Sequence, residues 1–169
     1  REVTPSSFNC AQVGTAVPVV LTVTDAAGRI NTCNTTVTVE DKVLPTAVCK
    51  NIIIQLDATG NATITAANID NGSSDACGIA SLVASKTAFT CADRGANTVT
   101  LTVTDNHGNV STCNATVTVQ DTRKPVFSLC PTAKTVSTDN NLCTYAHSGT
   151  AWDATATDNC TLSSLTYNL

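Results

Sequence analysis

Nine cysteines, two histidines and a set of recurring aspartates are the residues of this chain whose types could do chemistry. The cysteines, at 10, 33, 49, 77, 91, 113, 130, 143 and 160, all stand singly. No C-x-x-C pair occurs, which argues against a zinc centre or a thioredoxin-type redox motif. Thiols used this heavily in a threonine-rich chain read as structural disulfides made in an oxidising exterior, with buried free thiols as the alternative. The aspartates fall where loops are expected: Asp41 and Asp121 in linkers, Asp70, Asp75 and Asp158 ahead of a cysteine, Asp25 and Asp105 in turns. Calcium takes about six to eight oxygens, and Asp41, Asp121, Asp75 and Asp105 are its candidate ligands. The competing reading is that Asp and Asn occupy turns because their side chains bond the local backbone, and no D-x-D-x-D-G loop is present. No other cofactor is expected.

A histidine-assisted nucleophile needs a serine or cysteine in reach and an acid to orient the ring. His107 occupies a turn whose counterpart in the other repeat is Ala27, so it reads as a solvated turn residue and no enzyme is expected. Trp152 reads as core filling against a disulfide, with a ligand-stacking aromatic as the alternative.

The elements that must hold these residues are strands. Aromatic residues make up 4% of the 169, charged residues 13%, and there is no methionine, so any core is assembled from Val, Ile, Leu, Ala and Cys. Abundant Val and Thr favour the pleated surface, and the chain reads as all-β. A net charge of −4 with nine scattered Lys and Arg argues against nucleic acid as a partner. No stretch approaches the ~20 apolar residues of a membrane span. An exported protein of this kind would carry its sorting signals outside this stretch.

Internal self-similarity orders the chain. Residues 21–41, LTVTDAAGRINTCNTTVTVED, match residues 101–121, LTVTDNHGNVSTCNATVTVQD, at 14 of 21 positions. Phe8-Asn9-Cys10-Ala11 matches Phe89-Thr90-Cys91-Ala92, and the period is about 81 residues. Boundaries at the Asp-x-x-x-Pro linkers make 1–41 the second half of one repeat, 42–121 a complete repeat and 122–169 the first half of the next. In the complete repeat, strands are expected at 52–56 and 62–65, joined as a hairpin, then at 79–84, 87–91, 97–104 and 109–119, with a polar loop over 68–77. Cys113, Ala115, Val117 and Val119 share the face expected to be buried, and Cys33 with Val37 and Val39 repeats the pattern. Short strands, regular turns and a core-facing cysteine point to tandem immunoglobulin-like β-sandwich repeats, stapled by disulfides.

Cys49, Cys77, Cys91 and Cys113 allow three connectivities, of which Cys49–Cys113 with Cys77–Cys91 nested inside is favoured. Cys10, Cys33, Cys130 and Cys160 would then pair with adjacent repeat halves. Cys143 has no equivalent in the complete repeat.

Residues 42–121, with P-T-A-V-C, L-D-A-T-G-N-A-T-I-T, I-D-N-G-S-S-D-A-C-G-I and the L-T-V-T-D…V-T-V run, resemble the tandem repeats of giant gliding-motility adhesins (SprB type). From Pro125 on, with C-P at 130–131, Trp152 and A-T-D-N-C at 156–160, the chain resembles the related hyalin-type (HYR) repeat. The resemblance implies an exported, very long bacterial surface protein that adheres or projects, with neighbouring repeats as partners and surface glycans or a substratum as targets. A carbohydrate- or protein-binding module of a secreted protein is the alternative, and the low aromatic content argues against it.

Overall fold

The computed structural model describes residues 1–130, 132, 133, 135, 137 and 154–165; Cys143, His147 and Trp152 lie outside the described residues. The fold is all-β. In chain order the strands are β1 (Glu2–Thr4), β2 (Ala16–Thr24), β3 (Ile30–Thr38), β4 (Ile52–Gln55), β5 (Asn61–Thr63), β6 (Ile79–Ala84), β7 (Ala88–Thr90), β8 (Gly95–Asp105), β9 (Val110–Gln120), β10 (Val126–Leu129) and β11 (Thr155–Thr157). One helical turn, α1 (Ala66–Ile69), follows β5, and 3-10 turns span Cys10–Gln12 and Cys91–Asp93.

Two compact units emerge, and their limits differ from the repeat boundaries in the sequence. Unit 1 comprises Arg1–Ile52, Thr65–Thr87 and Thr98–Thr116; unit 2 comprises Ile53–Ile64, Ala88–Asn97 and Val117–Leu169. The complete repeat contributes to both.

Within unit 1, β1, β2 and β3 form an antiparallel sheet in that order, with Val3 opposite Leu21 and Leu21 opposite Cys33. One period later β6, β8 and β9 stand in the same order, extended by β4 on the far side of β9. The pairing of Leu101 with Ala84 reproduces that of Leu21 with Val3. Equivalent sequences therefore take equivalent places in two sheets. Their burial differs. Leu101 and Val103 are 0% exposed, whereas Leu21 and Val23 are 40% and 48% exposed. Val37 is half-buried and Cys33 exposed, so the inward-facing cysteine expected from strand parity is not realised in β3. The β9 parity does hold, with Ala115, Val117 and Val119 buried and Cys113 partly so.

The hairpin expected between β4 and β5 is absent, although its turn forms. Asp57 donates its N–H to the Asn61 carbonyl at 2.8 Å, and its Oδ1 accepts the N–H groups of Thr59 and Asn61. These bonds, that from Asn61 first, hold the Asp57 carboxyl below its usual range. The strands then part because their edges have other partners. Leu56 N–H bonds the Gln120 carbonyl at 2.9 Å, and β5 pairs with β7, Ala62 opposite Phe89. The loop expected over 68–77 begins as α1, which buries Ile69 completely. Among the described residues the cores are apolar but for Asp105: Val19, Ile69, Val99, Leu101, Val103 and Ala115 in unit 1, and Leu56, Ile64, Phe89, Val117 and Val119 in unit 2.

Candidate functional site

The cysteines of this chain are paired in a register that the sequence reading did not choose. Cys49 bonds Cys113, joining the segment before β4 to β9. The nested Cys77–Cys91 pair does not exist: Cys77 bonds Cys10 and Cys91 bonds Cys160. Cys77 belongs to unit 1 and Cys91 to unit 2, and each finds its partner within its own unit at Cα separations of 5.3 and 5.5 Å, inside the range a disulfide spans. Cys10 is one period before Cys91, and Cys160 is the counterpart of Cys77. Both bonds thus join the same two positions, the 3-10 turn cysteine of one repeat and the loop cysteine of the next. Cys33 and Cys130 are free and exposed.

Each crossing bond sits in the same local frame, built from different residues. The Cys10 turn is capped by Asn9, which accepts the Ala11 N–H at 3.0 Å, while the Gln12 side chain accepts the Asn9 N–H at 2.7 Å. The Cys91 turn uses Thr90 and Asp93 for the same two roles. On the other side, Asp75 Oδ1 accepts the Cys77 N–H at 2.7 Å, and Asp158 Oδ1 accepts the Cys160 N–H at 2.9 Å. In unit 2 the backbone comes very close to the disulfide at Gly60, which has φ +77°. A Cβ there would stand 2.6 Å from the Asn159 carbonyl oxygen and 2.7 Å from Cys91 Sγ. Gly60→Ala is therefore expected to destabilise the protein by at least about 1–3 kcal/mol and to speed reduction of Cys91–Cys160. Urea unfolding and timed thiol labelling measure the two effects.

Acidic residues gather beside both bonds. In unit 1 a carboxylate oxygen from each of Asp41, Asp75 and Asp105 lies within 4.8 Å of the others. Asp105 closes the β8–β9 turn: its Oδ1 accepts the N–H groups of His107 and Asn109 at 2.8 Å each, and its Oδ2 accepts the Asn109 side-chain amide at 2.7 Å. Burial pushes its carboxyl up, but these bonds, led by the Asn109 side chain, outweigh it and leave the carboxyl below its usual range. Asp41 is held from the linker by the Val43 N–H, and its Oδ2 is 3.0 Å from His107 Nδ1. In unit 2, Asp121 and Asp158 gather with Cys160 in the corresponding way. Thus the structure joins three of the four candidate calcium ligands and places Asp121 in a second cluster. Asn109, whose amide also reaches the Asp41 carbonyl at 3.2 Å, had no signal in the sequence beyond its place after a turn glycine.

His107 is an exposed turn residue, and its ring also pairs with Asp41. Cys77 Sγ lies within 4.8 Å of that pair, but it is locked in a disulfide and so offers neither a thiol nucleophile nor a metal thiolate. No family model and no curated protein matches this chain. Cys10–Cys77 and Cys91–Cys160, one sequence period apart, are made of equivalent parts.

Proposed function

We propose that this chain is a structural segment of a long secreted or cell-surface filament or adhesin stalk, built from tandem immunoglobulin-like repeats that disulfides lace to one another. The observation that carries the reading is the constant register of the crossing bonds, Cys10–Cys77 and Cys91–Cys160. Such a register gives every repeat a covalent link to its neighbour besides the polypeptide itself. A pull on the array then meets disulfides before it can peel one repeat from the next. The linker that ends at Cys49 contains a buried proline, Pro45, whose fixed φ limits bending there. Strands β8 and β9 are long, 11 residues each at about 3.3 Å per residue, which suits a load-bearing segment. Three disulfides in so short a chain suit an oxidising exterior.

The exposed face of β2 supports the same reading. Leu21 and Val23 are open to solvent where their equivalents Leu101 and Val103 are sealed, as expected of a half-sandwich whose other half belongs to a further repeat.

Mass mapping of non-reduced peptides from native material tests the proposal. The expected map contains Cys10–Cys77, Cys49–Cys113 and Cys91–Cys160, with Cys33 and Cys130 each bonded to a cysteine of a further repeat. A Cys77–Cys91 peptide, or free thiols at all of these positions, would sink it.

A further inference from the structure

The acids beside the unit 1 disulfide are arranged in a way that turn formation alone does not account for. Asp105 is 1% exposed and the Asp41 side chain 5%, so two negative charges are withdrawn from water within 4.8 Å of a third. Turn-capping accounts for one oxygen of Asp75, which takes the Cys77 N–H. Its other oxygen, Oδ2, is fully buried and has no hydrogen-bond partner. A carboxylate oxygen shut away from water without a donor is costly unless something positive meets it. Among the described residues no Lys or Arg forms an ion pair with the three acids, and the ring of His107 faces Asp41 alone.

The contrast with Asp25 is direct. This residue is the equivalent of Asp105 in the preceding repeat, where it closes the same turn in an exposed setting. There the position of Asn109 is taken by Arg29, whose Nε meets Asp25 Oδ2 at 2.6 Å. An acid that stands alone is answered by an arginine. The acid that stands with two others is answered by an amide, and the excess negative charge of the group remains.

We propose that Asp41, Asp75 and Asp105 bind one calcium ion at the junction between two repeats, with Asp75 Oδ2 as a direct ligand. The donors are all hard oxygens carried on three separate segments: the linker after β3, the loop before β6 and the end of β8. Calcium accepts such irregular oxygen sets, whereas magnesium demands a near-ideal octahedron and zinc favours nitrogen or thiolate, and the neighbouring sulfur is oxidised. The ion ties the linker to two loops of the next repeat and so fixes the angle at the junction that the Cys10–Cys77 bond crosses. A second observation supports a site of this kind. One period on, Asp121 and Asp158 stand together beside Cys160, and the adjoining Asn159 Oδ1 is likewise buried without a partner.

The inference rests on these residues forming a repeat junction, and its test is separable from the test of that reading. The disulfide-intact 169-residue protein is stripped with chelator, then titrated with calcium chloride by calorimetry and melted with and without calcium at matched ionic strength. Expected are a Kd of about 0.1–1 mM and a Tm rise of about 3–8 °C in about 10 mM calcium. Asp75→Asn keeps an acceptor for the Cys77 N–H but removes the charge, and should weaken binding at least about ten-fold while leaving the disulfide map unchanged. Absence of heat and of a Tm shift, an equal shift from magnesium, or an unaltered response in Asp75→Asn each overturns the site. Those outcomes leave the crossing disulfides intact, whereas a failed disulfide map removes the junction itself.

Discussion

Replacing Cys49 and Cys113 together by serine is expected to lower the free energy of unfolding by about 4 kcal/mol, because the bond closes a loop with a sequence separation of 64. The full loop counts. The three disulfides interleave along the chain, and neither Cys10–Cys77 nor Cys91–Cys160 offers a shorter covalent path between positions 49 and 113. The denatured chain therefore regains nearly all the freedom that this bond removes. Against a typical stability of roughly 5–15 kcal/mol, such a loss brings a domain of this size close to its limit. Urea unfolding followed by far-ultraviolet circular dichroism measures it, with the double variant compared against the parent at equal slope. A change under about 1 kcal/mol would mean that the other two bonds already confine the unfolded chain, or that the Cys49–Cys113 geometry is strained.

Sequence reasoning found Cys49–Cys113 but not the crossing pairs, and the difference is physical. Cys113 lies on β9, whose alternation is plain in the sequence, and Cys49 just precedes β4, which neighbours β9 in the same sheet. The choice between Cys77–Cys91 and the crossing register is not local. It depends on which repeat's loop meets which repeat's turn, and identical repeats give identical local signals for both. One clue was present: nesting leaves Cys10 and Cys160 without partners in this chain, whereas the crossing register uses both. Strands β6 and β9 were legible to within a residue or two because alternation and turn glycines mark them. The β4–β5 hairpin misled because its turn chemistry, Asp57 through Asn61, is complete on its own. Long-range pairing of β4 with β9, continued by the bond from Leu56 to Gln120, is what places β4 in another sheet. The acids of the junction were visible as residue types at recurring positions. Their convergence was not, since Asp41 and Asp105 are far apart in sequence and meet only through the fold.

Burial is the property that repetition in sequence conceals most, and it yields the second large effect. Leu21 and Leu101 lie one period apart, on strands with the same neighbours in the same order. Leu101→Ala removes a side chain that is 0% exposed and leaves a cavity in the core, which should cost about 3–5 kcal/mol. Leu21→Ala acts on a side chain 40% exposed, with room for neighbours and water to fill the space, and should cost about 1 kcal/mol or less. Urea midpoints of the two variants measure the pair of values in the 169-residue protein. Equal costs there would mean that the β2 face is covered in solution, for instance by another copy. In native array material the proposed function makes the opposite demand. If a further repeat closes over β2, Leu21 becomes a core residue like Leu101, and hydrogen-exchange protection of the β2 amides should rise to the level of β8. Under the proposed function, the same substitution would read out two states of one surface, open in the 169-residue protein and sealed where a further repeat closes over it.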